Sequence, residues 1–120
     1  MIQFEELKSW QEARELTNKI YKITTKSPFS RDYGLKDQIR RASSSIMLNI
    51  AEGFDSGTDP QFIKFLYYAF RSCSEVQSIL YICLDNQYLN KTDFEYLYEK
   101  ARTIKKLCSG LIRYLNKEKK

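Results

Sequence analysis

Between Pro60 and Asn86 the apolar residues recur on a helical repeat. Phe62, Leu66, Ala69, Cys73, Val76, Leu80 and Cys83 follow a 4-3-4-3-4-3 spacing, which places them on one face of an α-helix. Phe65, Tyr68, Ile79 and Ile82 extend one flank of that face, and Ile63, Tyr67, Phe70 and Tyr81 extend the other. Only Lys64, Arg71, Glu75 and Asp85 interrupt the stretch with charge. A helix that is apolar on nearly every side must be covered on nearly every side. A small bundle leaves part of it bare, so contact with other subunits is expected. Phe65, Tyr68, Ile79 and Ile82 are the candidate oligomer interface.

The same period predicts three more helices. Ala13, Leu16, Ile20 and Ile23 form the inner stripe of a helix over about residues 10–26. Ser9-Trp10-Gln11-Glu12 has the capping-box pattern at its start, and Ser27-Pro28 ends it. Leu35, Ile39, Ala42, Ile46, Ile50 and Gly53 share a face of a second helix over about residues 32–54. Gly53 and the Asp55-Ser56-Gly57 loop stop it, and Asp59-Pro60 restarts the chain as cap and first helical residue. The third helix then runs over about residues 60–85. Thr92-Asp93-Phe94-Glu95 reads as a second capping box, opening a fourth helix over about residues 93–116. Its core positions are Phe94, Leu97, Ala101, Ile104, Cys108, Leu111 and Leu115. No segment sustains strand alternation. Helices of similar length with short connections predict an all-α fold, an antiparallel up-down-up-down four-helix bundle. Residues 1–120 read as a single domain, with Lys117–Lys120 expected to fray.

Charge changes this picture because it is unevenly placed. The formal net charge is +5, yet residues 1–99 carry a net −2 and residues 100–120 a net +7. The basic excess lies on the last helix and tail. Lys100, Arg102, Lys105, Lys106, Arg113 and Lys117 are the candidate nucleic-acid-binding residues. The plainer alternative is a solvated helix face with cations near a helix C-terminus. Symmetric assembly favours the first reading, since copies of the stripe sum into one field. Tyr98 and Tyr114 on this helix either stack on unpaired bases or line helix and subunit contacts with the hydroxyl at the wet edge.

Most enzyme chemistry lacks its residues here. The chain has no histidine, so Ser-His and Cys-His nucleophile pairs and the di-iron Glu-x-x-His motif are excluded. No phosphate-binding Gly-x4-Gly-Lys loop is present; Gly53 to Gly57 has no following lysine. Cys73, Cys83 and Cys108 lie on helical core faces and form no Cys-x-x-Cys pair, so no metal or cofactor is expected. An enzyme would need Glu52 or Glu75 in a ligand-sized pocket. The apolar run Ile79 to Leu84, which no other run exceeds, is far short of a bilayer span, and no secretory signal precedes it, so a cytoplasmic protein with no membrane partner is expected.

The second helix carries a polar border of Gln38, Ser45, Asn49 and Glu52 beside its core stripe. Arg41, Ser45, Asn49, Glu52, Arg71 and Glu75 are expected to form a structural polar network between helices or subunits, since buried polar groups need partners. Small residues Ala42, Ser43, Ser44, Ala51 and Gly53 let another backbone come close.

This segment, Arg40-Arg41-Ala42-Ser43-Ser44-Ser45-Ile46 followed by Asn49-Ile50-Ala51-Glu52-Gly53-Phe54, resembles the central motif of the four-helix-bundle family encoded by intervening sequences in bacterial 23S ribosomal RNA genes. Phe4, Leu7, Trp10-Gln11 and Ala13 are similar to its N-terminal pattern, Tyr33-Gly34-Leu35 to its second-helix entry, and Phe62-Ile63-Lys64-Phe65-Leu66, Ala69, Ser72 and Glu75 to its third helix. The resemblance implies a homopentamer around a central axis, without a defined reaction. A related accessory protein of diversity-generating retroelements is similar in fold, has a basic surface and works with a reverse transcriptase and nucleic acid. Two positions depart from the pattern. Met47-Leu48 stands where the family usually has Pro-Ser, which predicts a better hydrogen-bonded helix, and the loop after Gly53 is acidic where the family's is often basic. Three roles follow as expectations: an oligomeric scaffold that binds RNA or DNA, a protein–protein adaptor or structural oligomer, and, least supported by motifs, an enzyme.

Overall fold

Four amphipathic stripes close on one another as the periodicity predicts. The computed structural model describes residues 2–118, without the Glu118 side chain. It contains α1 (Lys8–Ile23), α2 (Tyr33–Phe54), α3 (Asp59–Asp85) and α4 (Lys91–Glu118), with short 3-10 turns at Phe4–Glu6 and Phe29–Arg31. Each helix packs on its chain neighbours, and α4 closes the ring against α1. The result is an all-α four-helix bundle about 50 Å long and 20 × 19 Å across. One core runs down its axis, with Leu16, Ile46, Leu66 and Ile104 fully buried, one from each helix.

Three helix starts differ from the expected caps by one or two residues. Ser9 lies inside α1, buried, because the Phe4–Glu6 turn runs almost directly into the helix and Leu7 takes the cap position. Thr58, rather than Asp59, caps α3 by accepting from the Gln61 N–H at 3.4 Å. Asn90, rather than Thr92, caps α4 by accepting from the Asp93 N–H at 2.7 Å. Asp32 caps α2, accepting from the Leu35 N–H at 3.2 Å. α1 ends at Ile23, short of the expected Lys26, where the Thr24 hydroxyl donates to the Ile20 carbonyl. α2 runs unbroken through Met47 and Leu48, and α4 continues through Lys117; Lys119 and Lys120 of the expected frayed tail lie outside the described residues.

α3 needs less outside cover than its pattern suggests. Ile79 is 3% exposed and belongs to the bundle's own core, which removes it from the outward-facing set. Phe65 and Tyr68 are half-buried, whereas Tyr67, Tyr81 and Ile82 remain exposed. Leu48 on α2 is 60% exposed. Among the described residues, no helix is long and apolar enough to cross a membrane.

Candidate functional site

The basic face of α4 meets α3 along an open groove of about 580 Å³. Phe70 and Gln77 of α3 face Tyr98, Arg102, Lys105, Lys106, Ser109 and Arg113 of α4 across it. Four of these eight residues are cations and none is acidic. The α-helical period explains the convergence. Residues 102, 106, 109 and 113 are spaced by three or four, so they fall on one stripe, and Lys105 reaches in from its edge.

The groove floor is internally satisfied. The Lys105 ammonium donates to the Gln77 side-chain oxygen at 3.2 Å and lies 4.8 Å from the Phe70 ring centre. The Gln77 amide nitrogen donates to the Tyr98 carbonyl at 3.4 Å, tying α3 to α4. Arg102 lies over the Tyr98 ring at 5.7 Å and pairs with Glu99 at 3.2 Å on the exposed surface, where such a pair is weak. Lys106 and Arg113 make no ion pair among the described residues. Lys117 extends the stripe, beside Arg113 and Tyr114 in a second shallow depression.

Lys100 stands apart from the other five candidates. It turns to α1, where its ammonium pairs with Glu12 at 2.9 Å and with Glu15. Burial opposes its charge, yet the hydrogen bonds to Glu12 and Glu15 outweigh this and hold the ammonium above the usual lysine range. Lys100 on Glu12, opposed by burial and aided by Lys8, holds the Glu12 carboxyl below the usual carboxylate range. This cluster neutralises Lys100 and joins α4 to α1.

The polar border of α2 divides in the same way. The Ser45 and Ser72 hydroxyls hydrogen-bond at 2.6 Å, linking α2 to α3, and the Asn49 amide donates to the Ser45 carbonyl at 2.8 Å. Arg41, Glu52, Arg71 and Glu75 are exposed and form no ion pair among the described residues; Arg71 lies over the Tyr68 ring at 5.3 Å. The depression at Glu52 is lined by Leu48, Ala51, Asp55, Ser56 and Phe65, and Glu75 is not among its lining residues.

Phe70, Gln77 and Ser109 are groove residues that the charge pattern alone misses. One signal for Gln77 existed in the sequence: it is an amide beside the apolar stripe in the middle of α3, a position that calls for a partner.

The fold and its basic groove define a small all-α bundle with an external cationic face. Residues 5–110 match the 23S rRNA-intervening sequence protein family, and the chain belongs to it. The bundle is also similar to the crystal structure of a protein with unknown function from the S23 ribosomal protein family of Bacteroides thetaiotaomicron. That likeness has a TM-score of 0.81 at 21% identity and covers 88% of this chain and 95% of that one. No curated protein matches the chain.

Proposed function

We propose that this chain is the subunit of a homo-oligomeric, non-enzymatic scaffold that binds nucleic acid through the α3–α4 groove without reading sequence. One observation carries the reading: Arg102, Lys105, Lys106 and Arg113 converge on a groove with no carboxylate in its lining. Lysine and arginine that neutralise backbone phosphates release condensed counterions, which gives affinity that ignores base identity and weakens steeply with salt. An electrophoretic titration of RNA and DNA at low and moderate salt tests it. Retardation that fades with salt supports the reading; no retardation at low salt overturns it.

Assembly is the second half of the proposal. The family resemblance implies a homopentamer, and exposed Leu48, Tyr67 and Ile82 with half-buried Phe65 and Tyr68 offer apolar surface for self-contact. Cyclic symmetry would repeat the groove around an axis and sum its field. Sedimentation at several concentrations checks it, and a compact monomer at all of them removes the oligomer.

The same exposed apolar side chains favour a second reading, a protein–protein adaptor or purely structural oligomer. A stable protein partner that survives nuclease treatment, without nucleic-acid retardation, would select it. An enzyme has less support, because Glu75 is not among the residues lining the depression at Glu52, where the two would serve as acid and base. A cytoplasmic location and the absence of a membrane partner fit both readings.

A further inference from the structure

Phe94, Tyr98, Arg102 and Lys106 succeed one another at four-residue intervals along α4, so their side chains form one ladder. The Phe94 and Tyr98 rings stack at 5.6 Å and 29°, and Tyr81 of α3 packs edge-on against them at 5.0 and 5.8 Å. The Arg102 guanidinium lies over Tyr98, with its side chain half exposed at the groove rim. A flat cation is thus held over a ring that is itself braced from behind. Lys106 and Arg113 continue the ladder into the groove.

Two chemistries lie side by side: a stacking platform and a row of point charges. A duplex keeps its base faces inside its own stack, so it engages only the charges. A strand with unpaired bases engages both, since bases stack on aromatic rings and on guanidinium planes. Gln77, the one amide in the lining, already has partners at both ends, so it is not free to read a base edge. Stacking tolerates any base because every base has a π-face.

We propose that the α3–α4 groove holds an unpaired nucleotide of a single strand, its base against the Tyr98–Arg102 pair and its neighbouring phosphates on Lys106 and Arg113. The proposal rests on the phosphate-binding reading above and adds a preference for single strands. Fluorescence anisotropy of the full chain tests it, with a labelled oligothymidylate and a duplex of the same length, each about 20 units, at about 50 mM salt. The strand is expected to bind at least roughly tenfold more tightly than the duplex. Arg102→Lys keeps the charge and removes the plane. The position is exposed, so the change removes no core packing and should weaken strand binding roughly fivefold or more beyond its effect on the duplex. Tyr98→Phe should keep the preference and Tyr98→Leu should lose it.

Equal affinity for strand and duplex, or an Arg102→Lys loss that is the same for both, overturns the proposal while leaving the phosphate reading intact. No binding of either removes both. Full displacement of the strand by thymidine monophosphate at about 1 mM would make a free nucleotide the ligand and overturn the strand, whose extra phosphates should resist such competition.

Discussion

Gly53 of α2 and Phe65 of α3 approach so closely that a Cβ on Gly53 would lie 2.6 Å from the Phe65 Cβ and 3.2 Å from Cδ1 of Phe62. Non-bonded Cβ contacts this short essentially never occur, and the obstacle is Phe65's own Cβ rather than a flexible tip. The glycine of the Asn49-Ile50-Ala51-Glu52-Gly53 string, expected from the sequence to help stop the helix, lies inside α2 and serves a helix–helix crossing. Gly53→Ala is expected to cost about 1–3 kcal/mol through overpacking. Gly110→Ala, where a Cβ meets nothing within 4 Å, should stabilise α4 by about 0.5–1 kcal/mol. Urea denaturation of the two variants checks both signs, and equal effects would refute the crossing argument.

The Glu12–Lys100 contact should show in the pH dependence of stability. Glu12 is held below the usual carboxylate range, mainly by the hydrogen bond from Lys100. Its contribution is complete above the unfolded pKa of about 4.3 and is lost as pH falls through the lower folded value. Lys100 is held above the usual lysine range, so its contribution is complete below about pH 10.4 and is lost as pH rises through the folded value. Both side chains are mostly shielded, at 12% and 13% exposure. Glu12→Gln should cost about 1–2 kcal/mol at neutral pH. The gap to the parent should narrow on acidification; a gap constant down to pH ~3 would exclude the ion pair as its source.

The thiols are expected to be inert in the folded protein. Burial pushes Cys108 up to about 12, and burial with the nearby Asp32 pushes Cys83 up to about 12. Burial, then the neighbouring Cys108, raises Cys73 as well. Since the thiolate is the reactive form, Ellman titration at neutral pH should detect no thiol in the native state. It should detect all three after denaturation. Rapid native reaction of any one would show that the bundle opens.

The groove cations should divide by position in nucleic-acid titrations. Lys106→Gln and Arg113→Gln are each expected to lower the magnitude of the log–log salt slope by about one. Lys100→Gln should leave that slope unchanged, because its charge is already matched by Glu12 and Glu15. An equal slope change at all three positions would mean that binding is spread over the helix and not confined to the groove.

Gln87 adopts φ 63° in the connection between α3 and α4, a left-handed conformation that suits glycine. Gln87→Gly should therefore be neutral or stabilising by up to about 1 kcal/mol in thermal or urea unfolding. A clear loss of stability would mean that the Gln87 side chain contributes something beyond its backbone shape.

Helix number and type were legible because each buried stripe repeats on the helical period, and local spacing alone produces that signal. Cap positions were less legible. Ser9, Asp59 and Thr92 each look like caps, but Leu7, Thr58 and Asn90 occupy the positions. Thr58 stands beside Asp59 and Asn90 two residues before Thr92, so packing of the whole helix selects among cap-competent neighbours, whereas at α1 the preceding turn places Leu7 at the cap with no side-chain bond. The basic stripe was legible as a charge imbalance, whereas the exclusion of Lys100 was not. Its Glu15 partner lies 85 residues away in sequence.

By itself the sequence determined four amphipathic helices, their order, the buried cysteines and the concentration of positive charge on α4, because these depend on spacing within a few turns. Tertiary structure decided that Ile79 belongs to the bundle's own core, that Lys100 is paired while Arg102, Lys105, Lys106 and Arg113 share a groove, and that Gly53 must remain without a side chain. These outcomes depend on which side chains from distant helices meet, and that is fixed only when the four stripes pack together.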